Sequence, residues 1–279
     1  MEKDQEDNTA RNAPVRLAFR VSYLGTRFFG SQVQAEQRTV EGEFIATCLQ
    51  LRLFSDWREA GFLSAGRTDR GVNACGQVIA FSTGEPERAV AALNARLPPD
   101  CWCTGFSEAP EQFHPRFDAQ SRTYRYYSPD CSLDISAMGR AARSFIGSHN
   151  FTNFARVQGR NPCRNILAAS VREEGGFTCF EVKAESFLWH QVRCMASALF
   201  SVGKGDADES SIARMLETEA DRPLQPAPAE GLVLWDTDCG LSWSPIPAGE
   251  RSESFMDQLI RHHATMERVC RKLKIPEMP

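Results

Sequence analysis

The stretch SAGRTDRGV at residues 64–72, followed by GQVIAF at residues 76–81, places one carboxylate, Asp69, in a tight turn between two short apolar segments. Glycines allow backbone conformations that branched side chains resist, and turns at strand ends often present functional side chains. The flanking glycines are Gly66 and Gly71, and the flanking arginines are Arg67 and Arg70. On this segment alone, an exposed aspartate in an ordinary loop is as good an interpretation as a catalytic one.

The residues around this turn predict a unit of strand, helix, strand, strand, helix and strand. Alternating apolar residues indicate a half-buried first strand, and apolar residues at helical spacing, with Thr39 as the N-cap, indicate the first helix. Proline begins the second helix and a proline pair ends it. The predicted elements are a strand at 15–23, a helix at 40–51, strands at 61–64 and 77–82, a helix at 86–97 and a strand at 102–109.

The second half of the chain repeats this order without evident sequence identity. Asp134 is the predicted N-cap of its first helix. The predicted elements are a strand at 121–128, a helix at 135–146, strands at 165–173 and 177–186, helices at 189–202 and 210–219, and a strand at 232–236. Two β-α-β-β-α-β units in tandem predict an α+β fold of two ferredoxin-like halves, whose sheets join across a central cleft.

The predicted domain organisation follows from these two units. It comprises a flexible acidic N-terminus at 1–13, an N-terminal half at 14–110 that carries the Asp69 turn, a C-terminal half at 111–247, and a charged helical extension at 248–279. Within the extension, residues 252–273 are predicted to be helical. The contribution of this helix to function is left open.

Composition bounds the class of protein. The chain has 279 residues and is 42% hydrophobic, which suffices for two units with filled cores. No apolar run approaches a membrane-spanning length and residues 1–11 are not signal-like, so we expect a soluble, cytoplasmic protein. Ten cysteines are scattered without a Cys-x-x-Cys pair, which predicts reduced, mostly buried thiols. Neither cysteines nor histidines cluster as zinc ligands do, so no metal site is predicted.

The net charge of −4 argues against a nucleic-acid partner, because such proteins are usually basic. The distribution of charge weakens this objection. Residues 135–172 contain six arginines and no acidic residue, whereas acid is concentrated at 2–7 and 206–221. Most of the cations are arginines, which suit bidentate phosphate contacts and base stacking. For any single arginine, an ordinary surface ion pair is the alternative.

Five further segments accompany the Asp69 turn. They are FGSQ at 29–32, FHPRF at 113–117, RTYRY at 122–126, FLWHQVR at 187–193 and APAEGL at 227–232. Together with the turn they resemble, in the same order, the motifs of the TruA family of tRNA pseudouridine synthases. Members of that family have two ferredoxin-like halves with the active site between them, which agrees with the pattern of predicted elements.

The resemblance implies a role for each matching residue. Asp69 falls on the catalytic aspartate and Arg193 on the residue that pairs with it, which would favour the ionised carboxylate and fix its orientation. Tyr124 matches the tyrosine that stacks on the target base, Arg67 the residue that assists base flipping, and Leu232 an apolar wall of the uracil pocket. Further RNA contacts are expected from Arg70, Arg116, Arg156 and Arg160. Without the resemblance, Tyr124 and Leu232 would be interpreted as core and Arg193 as an ordinary helix residue.

The reaction implied is the isomerisation of uridine to pseudouridine, which needs no redox cofactor or nucleotide. Asp69 would act either as a nucleophile at C1′ or as a base at C2′, and the sequence does not decide between these routes. By the resemblance, the substrate is the anticodon arm of tRNA at positions 38 to 40, and the enzyme is a homodimer.

Other interpretations stay open at this point. The enzyme could modify another RNA or another tRNA site, or the same scaffold could serve a non-catalytic RNA-binding protein or chaperone. An aspartate-dependent hydrolase is disfavoured because no metal ligands or partner histidine accompany Asp69; His190 is interpreted as structural. Ser31, Arg70 and Asn73 depart from common bacterial residues of the family and suggest an archaeal or eukaryotic type, which bears on the target uridine more than on the reaction.

Overall fold

A computed structural model describes residues 13–130, 132–218 and 224–274. The acidic segment predicted at 1–13 therefore lies, apart from Ala13, outside the described residues. The first half contains β1 (Val15–Tyr23), α1 (Val40–Gln50), β2 (Leu63–Ser64), β3 (Asn73–Thr83), α2 (Pro86–Arg96) and β4 (Cys101–Glu108). The second contains β5 (Ser121–Ser128), α3 (Ile135–Ala142), β6 (Gly147–Asn150), β7 (Cys163–Glu174), β8 (Phe177–Ala184), α4 (Gln191–Gly203), α5 (Ser211–Glu217) and β9 (Leu232–Asp238). Strand β10 (Ser244–Pro245) and helix α6 (Glu250–Lys274) follow.

The described strands form one ten-stranded sheet with the order β10-β4-β1-β3-β9-β5-β8-β7-β6, and β2 also pairs with β3. Within the first half, the order is therefore β4-β1-β3-β2, with each strand antiparallel to its neighbours. The second half repeats it as β9-β5-β8-β7. Both orders are those of a ferredoxin-like unit, so the predicted α+β fold of two such halves is confirmed.

The two halves join where β3 and β9 run parallel, with Asn73 opposite Val233 and Ala74 opposite Leu234. The Asn73 side chain strengthens this joint. Its amide nitrogen donates to the carbonyl oxygen of Glu230 at 2.8 Å, and its amide oxygen accepts from the backbone nitrogen of Gly25 at 2.9 Å. One side chain thus ties the loop before β9 to the first half, which fixes the position of the second half relative to the Asp69 turn.

Gly76 allows the backbones at this joint to approach closely, and its replacement by alanine is expected to destabilise the protein. A Cβ at position 76 would lie 2.6 Å from the carbonyl oxygen of Trp235 and 2.6 Å from the Cα of Asp236, and neither backbone can move aside cheaply. We expect Gly76→Ala to lower the free energy of unfolding by about 2 kcal/mol or more, as measured by urea denaturation.

Gly139→Ala is the matched control, because it lies in α3 and a Cβ there would meet no atom closer than 4.0 Å. This variant is expected to gain about 0.5–1 kcal/mol from helix propensity. Equal effects of the two variants would contradict the close approach at the joint.

Two apolar cores lie between the helices and the sheet, one in each half. In the first half, α1 and α2 pack on β1 and β3 around fully buried rings such as Phe19, Phe44 and Phe81. In the second, α3, α4 and α5 cover β5 and β8 around Phe145 and Phe180. Tyr124 contacts both cores from β5, so the centre of the sheet is packed from both sides of the joint.

The predicted caps are confirmed. The Thr39 hydroxyl accepts from the backbone nitrogen of Gly42 at 3.2 Å, and the Asp134 carboxylate accepts from that of Ala137 at 2.9 Å. The prediction of a helix at 135–146 was too long. The observed α3 ends at Ala142, and a 3-10 turn follows at Arg143–Phe145. Strands β6 and β10 were not predicted, since they have only four and two residues; β6 pairs with the next strand, β7, and β10 with the distant β4. The domain boundaries stay a prediction.

The cysteines agree with the expectation of reduced thiols. All nine cysteines in the described ranges are free, and six of them are buried. Cys131 lies outside the described residues. Burial raises the pKa of the Cys194 thiol to about 11, which keeps it protonated and unreactive at neutral pH.

Candidate active site

A cleft of about 1270 Å³ opens where the two halves meet, and all the site residues predicted from the sequence line it. These residues are Arg67, Asp69, Arg70, Arg116, Tyr124, Arg156, Arg160, Arg193 and Leu232. They come from the turn before β3, the segment before β5, β5 itself, the loop before β7, the first turn of α4 and the start of β9. Their convergence follows from the β3–β9 joint, which brings both halves to one cleft.

Hydrogen bonds on both sides of Thr68 hold the Asp69 turn in place. The Thr68 backbone nitrogen donates to the Ser31 hydroxyl at 2.8 Å, and its side-chain oxygen lies 2.8 Å from the hydroxyl of Tyr23. The turn closes with a bond from the Val72 nitrogen to the Asp69 carbonyl at 3.1 Å. The turn is therefore anchored to the rigid end of β1.

The sequence predicts that Gly66 and Gly71 adopt backbone conformations that branched side chains resist, and this is confirmed for Gly71 alone. Gly71 has φ of 84°, in the left-handed region that favours glycine. Gly66 lies outside that region, so its place in the turn does not depend on a positive φ.

Both oxygens of the Asp69 carboxylate have donors from the start of α4. The indole Nε1 of Trp189 donates to Oδ1 at 2.9 Å, and Nη1 of Arg193 donates to Oδ2 at 3.3 Å. His190 Nε2 lies 3.4 Å from the same Oδ2. Asp69 is 28% exposed, so the carboxylate is oriented by these groups and still open to the cleft.

Helix α4 begins at Gln191, two residues later than predicted, because His190 has a φ of 64° and cannot be part of a right-handed helix. The Gln191 side chain accepts from the backbone nitrogen of Leu188 at 2.8 Å and closes this tight entry. Arg193 follows in the first turn, where its guanidinium Nε donates to the Ala227 carbonyl at 2.7 Å. This bond positions Arg193 against both Asp69 and the segment before β9.

The contacts of Trp189 and His190 with Asp69 were not predicted. His190 was interpreted as structural, yet it lies beside the carboxylate. Burial, together with the nearby Arg193 and Arg156, lowers the pKa of His190 despite the opposing effect of Asp69, so the imidazole is neutral at pH 7. The available signal was that both residues belong to the segment FLWHQVR at 187–193, which also contains Arg193.

Tyr124 and Leu232 form the apolar part of the cleft beside Asp69. Burial raises the pKa of Tyr124 to about 12, and the nearby Asp69 charge acts in the same direction, so the phenol stays protonated at neutral pH. Its ring meets Phe187 edge-on at 5.2 Å. Leu232 is only 6% exposed and is also part of the core of the second half, so the structural interpretation is confirmed, and its role as a wall of the uracil pocket stays a prediction.

The cleft carries an excess of positive charge. Its lining contains the arginines 58, 67, 70, 116, 122, 156, 160 and 193, against the carboxylates of Glu41 and Asp69. Arg70 stacks on Phe29 at 4.3 Å and Arg156 lies 5.1 Å from the Trp189 ring, so flat cations and aromatic faces alternate on the wall. Such a surface suits phosphates and bases, although the whole chain is acidic.

Trp189→Phe tests the indole contact, because it removes the hydrogen bond to Asp69 and keeps a ring for Arg156. For the isomerisation of uridine that the resemblance implies, we expect kcat to fall by roughly tenfold with little change in KM, since the bond orients the carboxylate rather than the substrate. Trp57→Phe is the control, because Trp57 also lines the cleft but makes no contact with Asp69. Similar losses in the two variants would contradict the orienting role.

Clusters of metal ligands and helices that could span a membrane are both absent from the described residues. Among the residues that the structure describes, no group of three or more His, Cys, Asp or Glu side chains is arranged to hold a metal ion. No helix in the described ranges has the length and apolar character needed to cross a membrane.

Comparison with known proteins assigns the family. A family model described as tRNA pseudouridine synthase matches residues 141–238. The tRNA pseudouridine synthase A of Methanoculleus marisnigri is 52% identical over 93% of this chain and 96% of its own length. The corresponding proteins of Methanosphaerula palustris and Thermococcus sibiricus are 50% and 42% identical, over 91% and 80% of this chain and 91% and 84% of their own lengths. The chain belongs to the tRNA pseudouridine synthase family.

The resemblance to TruA drawn from the motifs is thereby confirmed. All three relatives come from archaea, in agreement with the archaeal or eukaryotic type that the departures from the bacterial motifs suggested. The region of this tRNA pseudouridine synthase that the family model matches contains Arg193 and Leu232, whereas Asp69 lies before it. A chain of the solved structure titled "Crystal Structure of a Cbf5-Nop10-Gar1 Complex" aligns with a TM-score of 0.31 and 12% identity over 66% of this chain and 54% of its own length.

Proposed function

We infer that this chain is a tRNA pseudouridine synthase that isomerises uridine in tRNA with Asp69 as its catalytic carboxylate. The observation that carries this inference is the position of Asp69, held by Trp189 at 2.9 Å and Arg193 at 3.3 Å in an arginine-lined cleft, in a member of this family. A fixed carboxylate beside apolar and aromatic walls suits a reaction in which the base detaches from the sugar and then bonds to it through a different ring atom.

The reaction breaks the bond between C1′ and N1 of uridine, turns the uracil within the cleft and forms a bond between C1′ and C5. The proton on C5 is then lost and N1 gains a proton, so the product is an isomer of the substrate. Asp69 either attacks C1′ and later leaves, or removes a proton from C2′ and later returns it. Both routes use an ionised carboxylate, and the hydrogen bonds from Trp189 and Arg193 orient it.

The uracil needs a pocket that allows it to turn while it remains bound. Tyr124 supplies an aromatic face, and its neutral phenol is a hydrogen-bond donor close to Asp69. Leu232 forms an apolar wall that does not hold the base by hydrogen bonds. Arg67 is exposed at the turn, which supports the role implied by the resemblance, that of occupying the space that the flipped nucleotide leaves in the RNA.

The finer assignments rest on the resemblance to the family. The target is the anticodon arm at positions 38 to 40, the enzyme is a homodimer with RNA bound across both subunits, and it acts in the cytoplasm. Arg70, Arg116, Arg156 and Arg160 contact the RNA backbone from the wall of the cleft.

The direct test measures release of tritium from C5-labelled uridine in unmodified tRNA, with no metal or cofactor added. We expect release with turnover, and mapping of the product to the anticodon arm. Release with mapping to another position would contradict the anticodon assignment and leave the reaction standing. Absence of release on all tRNAs, with retained tRNA binding, would favour a non-catalytic RNA-binding protein.

A further inference from the structure

Helix α6 begins on the body of the protein and continues beyond it. Ser252 is buried, and Nη1 of Arg251 donates to the carbonyl of Ala95 at the end of α2 at 3.1 Å. From residue 260 to residue 274, every residue is exposed. We name residues 260–274 the arm. At 1.5 Å per residue it is about 22 Å long.

The arm is strongly basic in an acidic protein. Its charged residues are Arg261, Glu267, Arg268, Arg271, Lys272 and Lys274. The arm thus carries +4 when its histidines are neutral, and because the whole chain carries −4, all the other residues together carry −8. Arg271 pairs with Glu267 at 2.7 Å, whereas Arg261 and Arg268 have no acidic partner among the described residues. Seven positions separate these two arginines, so they lie on the same face of the helix.

A segment that leads into the cleft supports the base of the arm. Just before the arm, Phe255 of α6 lies 5.4 Å from the guanidinium of Arg27, which is two residues before the cleft-lining Phe29. The same short segment packs on the end of the catalytic turn, since a Cβ at Gly25 would lie 2.1 Å from the carbonyl oxygen of Val72. The base of the arm and the Asp69 turn are therefore supported by one segment, residues 25–29.

We propose that the arm binds the phosphate backbone of tRNA outside the cleft and so extends the substrate-binding surface of the enzyme. This proposal rests on the proposed function, because it takes tRNA as the ligand. The exposed helix face that bears Arg261 and Arg268 gives a polyanion further contacts in addition to those of the arginine-lined cleft, and each contact releases counterions. The cleft holds the target nucleotide, and the arm binds the RNA that extends past the cleft.

The alternative partner is a second copy of the chain, because the arm also has exposed apolar residues. These are Ile260, Met266, Val269 and Leu273. Pairing two arms along these residues would bring two segments of charge +4 together, with Glu267 as the one acidic residue in each to offset the repulsion. A polyanion neutralises the same charge, so the observations favour RNA.

The test is the double variant Arg261→Gln with Arg268→Gln, which keeps helix-forming residues and removes two cations. We expect KM for full-length tRNA to rise by roughly fivefold or more with kcat unchanged. The plot of log(kcat/KM) against log(salt concentration) should become shallower by about 2, one unit for each lost phosphate contact. Arg52→Gln with Arg96→Gln is the matched control, because it removes two exposed cations from the surface of the first half.

An unchanged KM and salt slope, or an equal effect of the control, would overturn the proposal. Met266→Glu tests a second copy of the chain as the partner, by size-exclusion chromatography. If this variant converts a dimer to a monomer, and the double arginine variant binds tRNA with unaltered affinity, the arm serves subunit pairing instead. A direct measurement of tRNA binding, made without turnover, distinguishes the failure of this proposal from the failure of the proposed function. Absence of turnover would contradict the proposed function, whereas an unchanged salt dependence of tRNA affinity in the arginine variant would contradict the role of the arm.

Discussion

Asp69→Asn is expected to reduce kcat for tritium release by at least about 10³-fold while tRNA binding stays within a few-fold of the original protein. The amide has nearly the shape of the carboxylate and still accepts from Trp189 through its oxygen. It lacks the negative charge that attack at C1′ or proton removal at C2′ requires. Its NH2 group would also point a donor at Arg193, which already donates to that position.

The matched control is Asp206→Asn, an exposed aspartate outside the cleft with no ion-pair partner among the described residues. Full activity in this control and loss in Asp69→Asn, with equal thermal stability, would assign the effect to the cleft. Substantial turnover by Asp69→Asn would contradict a catalytic carboxylate at position 69, whatever the family of the chain.

Arg193→Gln is expected to give the second largest loss, about 10²–10³-fold in kcat, because it removes a charged donor that orients Asp69. Arg193→Lys keeps the charge but replaces the two separate donor nitrogens, Nε to Ala227 and Nη1 to Asp69, by one ammonium nitrogen, so we expect an intermediate loss. Steady-state kinetics of both variants, with the free energy of unfolding measured in urea, checks the order.

The bond to Ala227 complicates the interpretation, because its loss also loosens the segment before β9. Tyr126→Phe is the control for this effect, since it removes a different bond to the same segment, from the Tyr126 hydroxyl to the carbonyl of Pro228 at 3.0 Å. If Tyr126→Phe reduces kcat as much as Arg193→Gln does, the role of Arg193 is to hold the segment and not to orient the carboxylate.

The residues that line the cleft could be predicted from the sequence where they belong to contiguous motifs, but their proximity in space could not. The turn around Asp69 and the helix start around Arg193 lie 124 residues apart, and the sequence alone gives no distance between them. Their meeting depends on the parallel pairing of β3 with β9, which involves only two residue pairs and has no local sequence pattern. The resemblance to the family supplied this contact in advance, whereas periodicity supplied only the two halves.

The contact of Trp189 with Asp69 illustrates why the rest could not be predicted. Helical periodicity extends through residues 189–202, so the pattern places Trp189 in the first turn of a helix. Because His190 is in the left-handed conformation, the helix instead begins at Gln191, and the indole of Trp189 donates to the Asp69 carboxylate. The single φ angle of 64° at His190 lies within a turn closed by the bond from the Leu188 nitrogen to the Gln191 side chain, and the periodicity of apolar residues contains no information about one backbone angle.

Net charge was misleading for a related reason. The value of −4 averages over the whole chain, whereas an RNA responds to the surface it contacts. Folding gathers eight arginines in the cleft from segments as distant as residues 58 and 193. The sum over the sequence could not reveal this separation of charge.

The bonds of Asn73 to the loop before β9 also bear on the order of events during synthesis at the ribosome. The donor and acceptor residues, Asn73 and Glu230, are 157 positions apart, so the ribosome has translated most of the chain before this bond can form. Apart from Leu234 of β9, the buried residues in the core of the half that bears Asp69 lie between positions 17 and 103, which are synthesised long before that moment. Catalytic competence is then expected to arise late, as a single event when β9 emerges, and a chain released prematurely would contain the aspartate without being able to modify RNA.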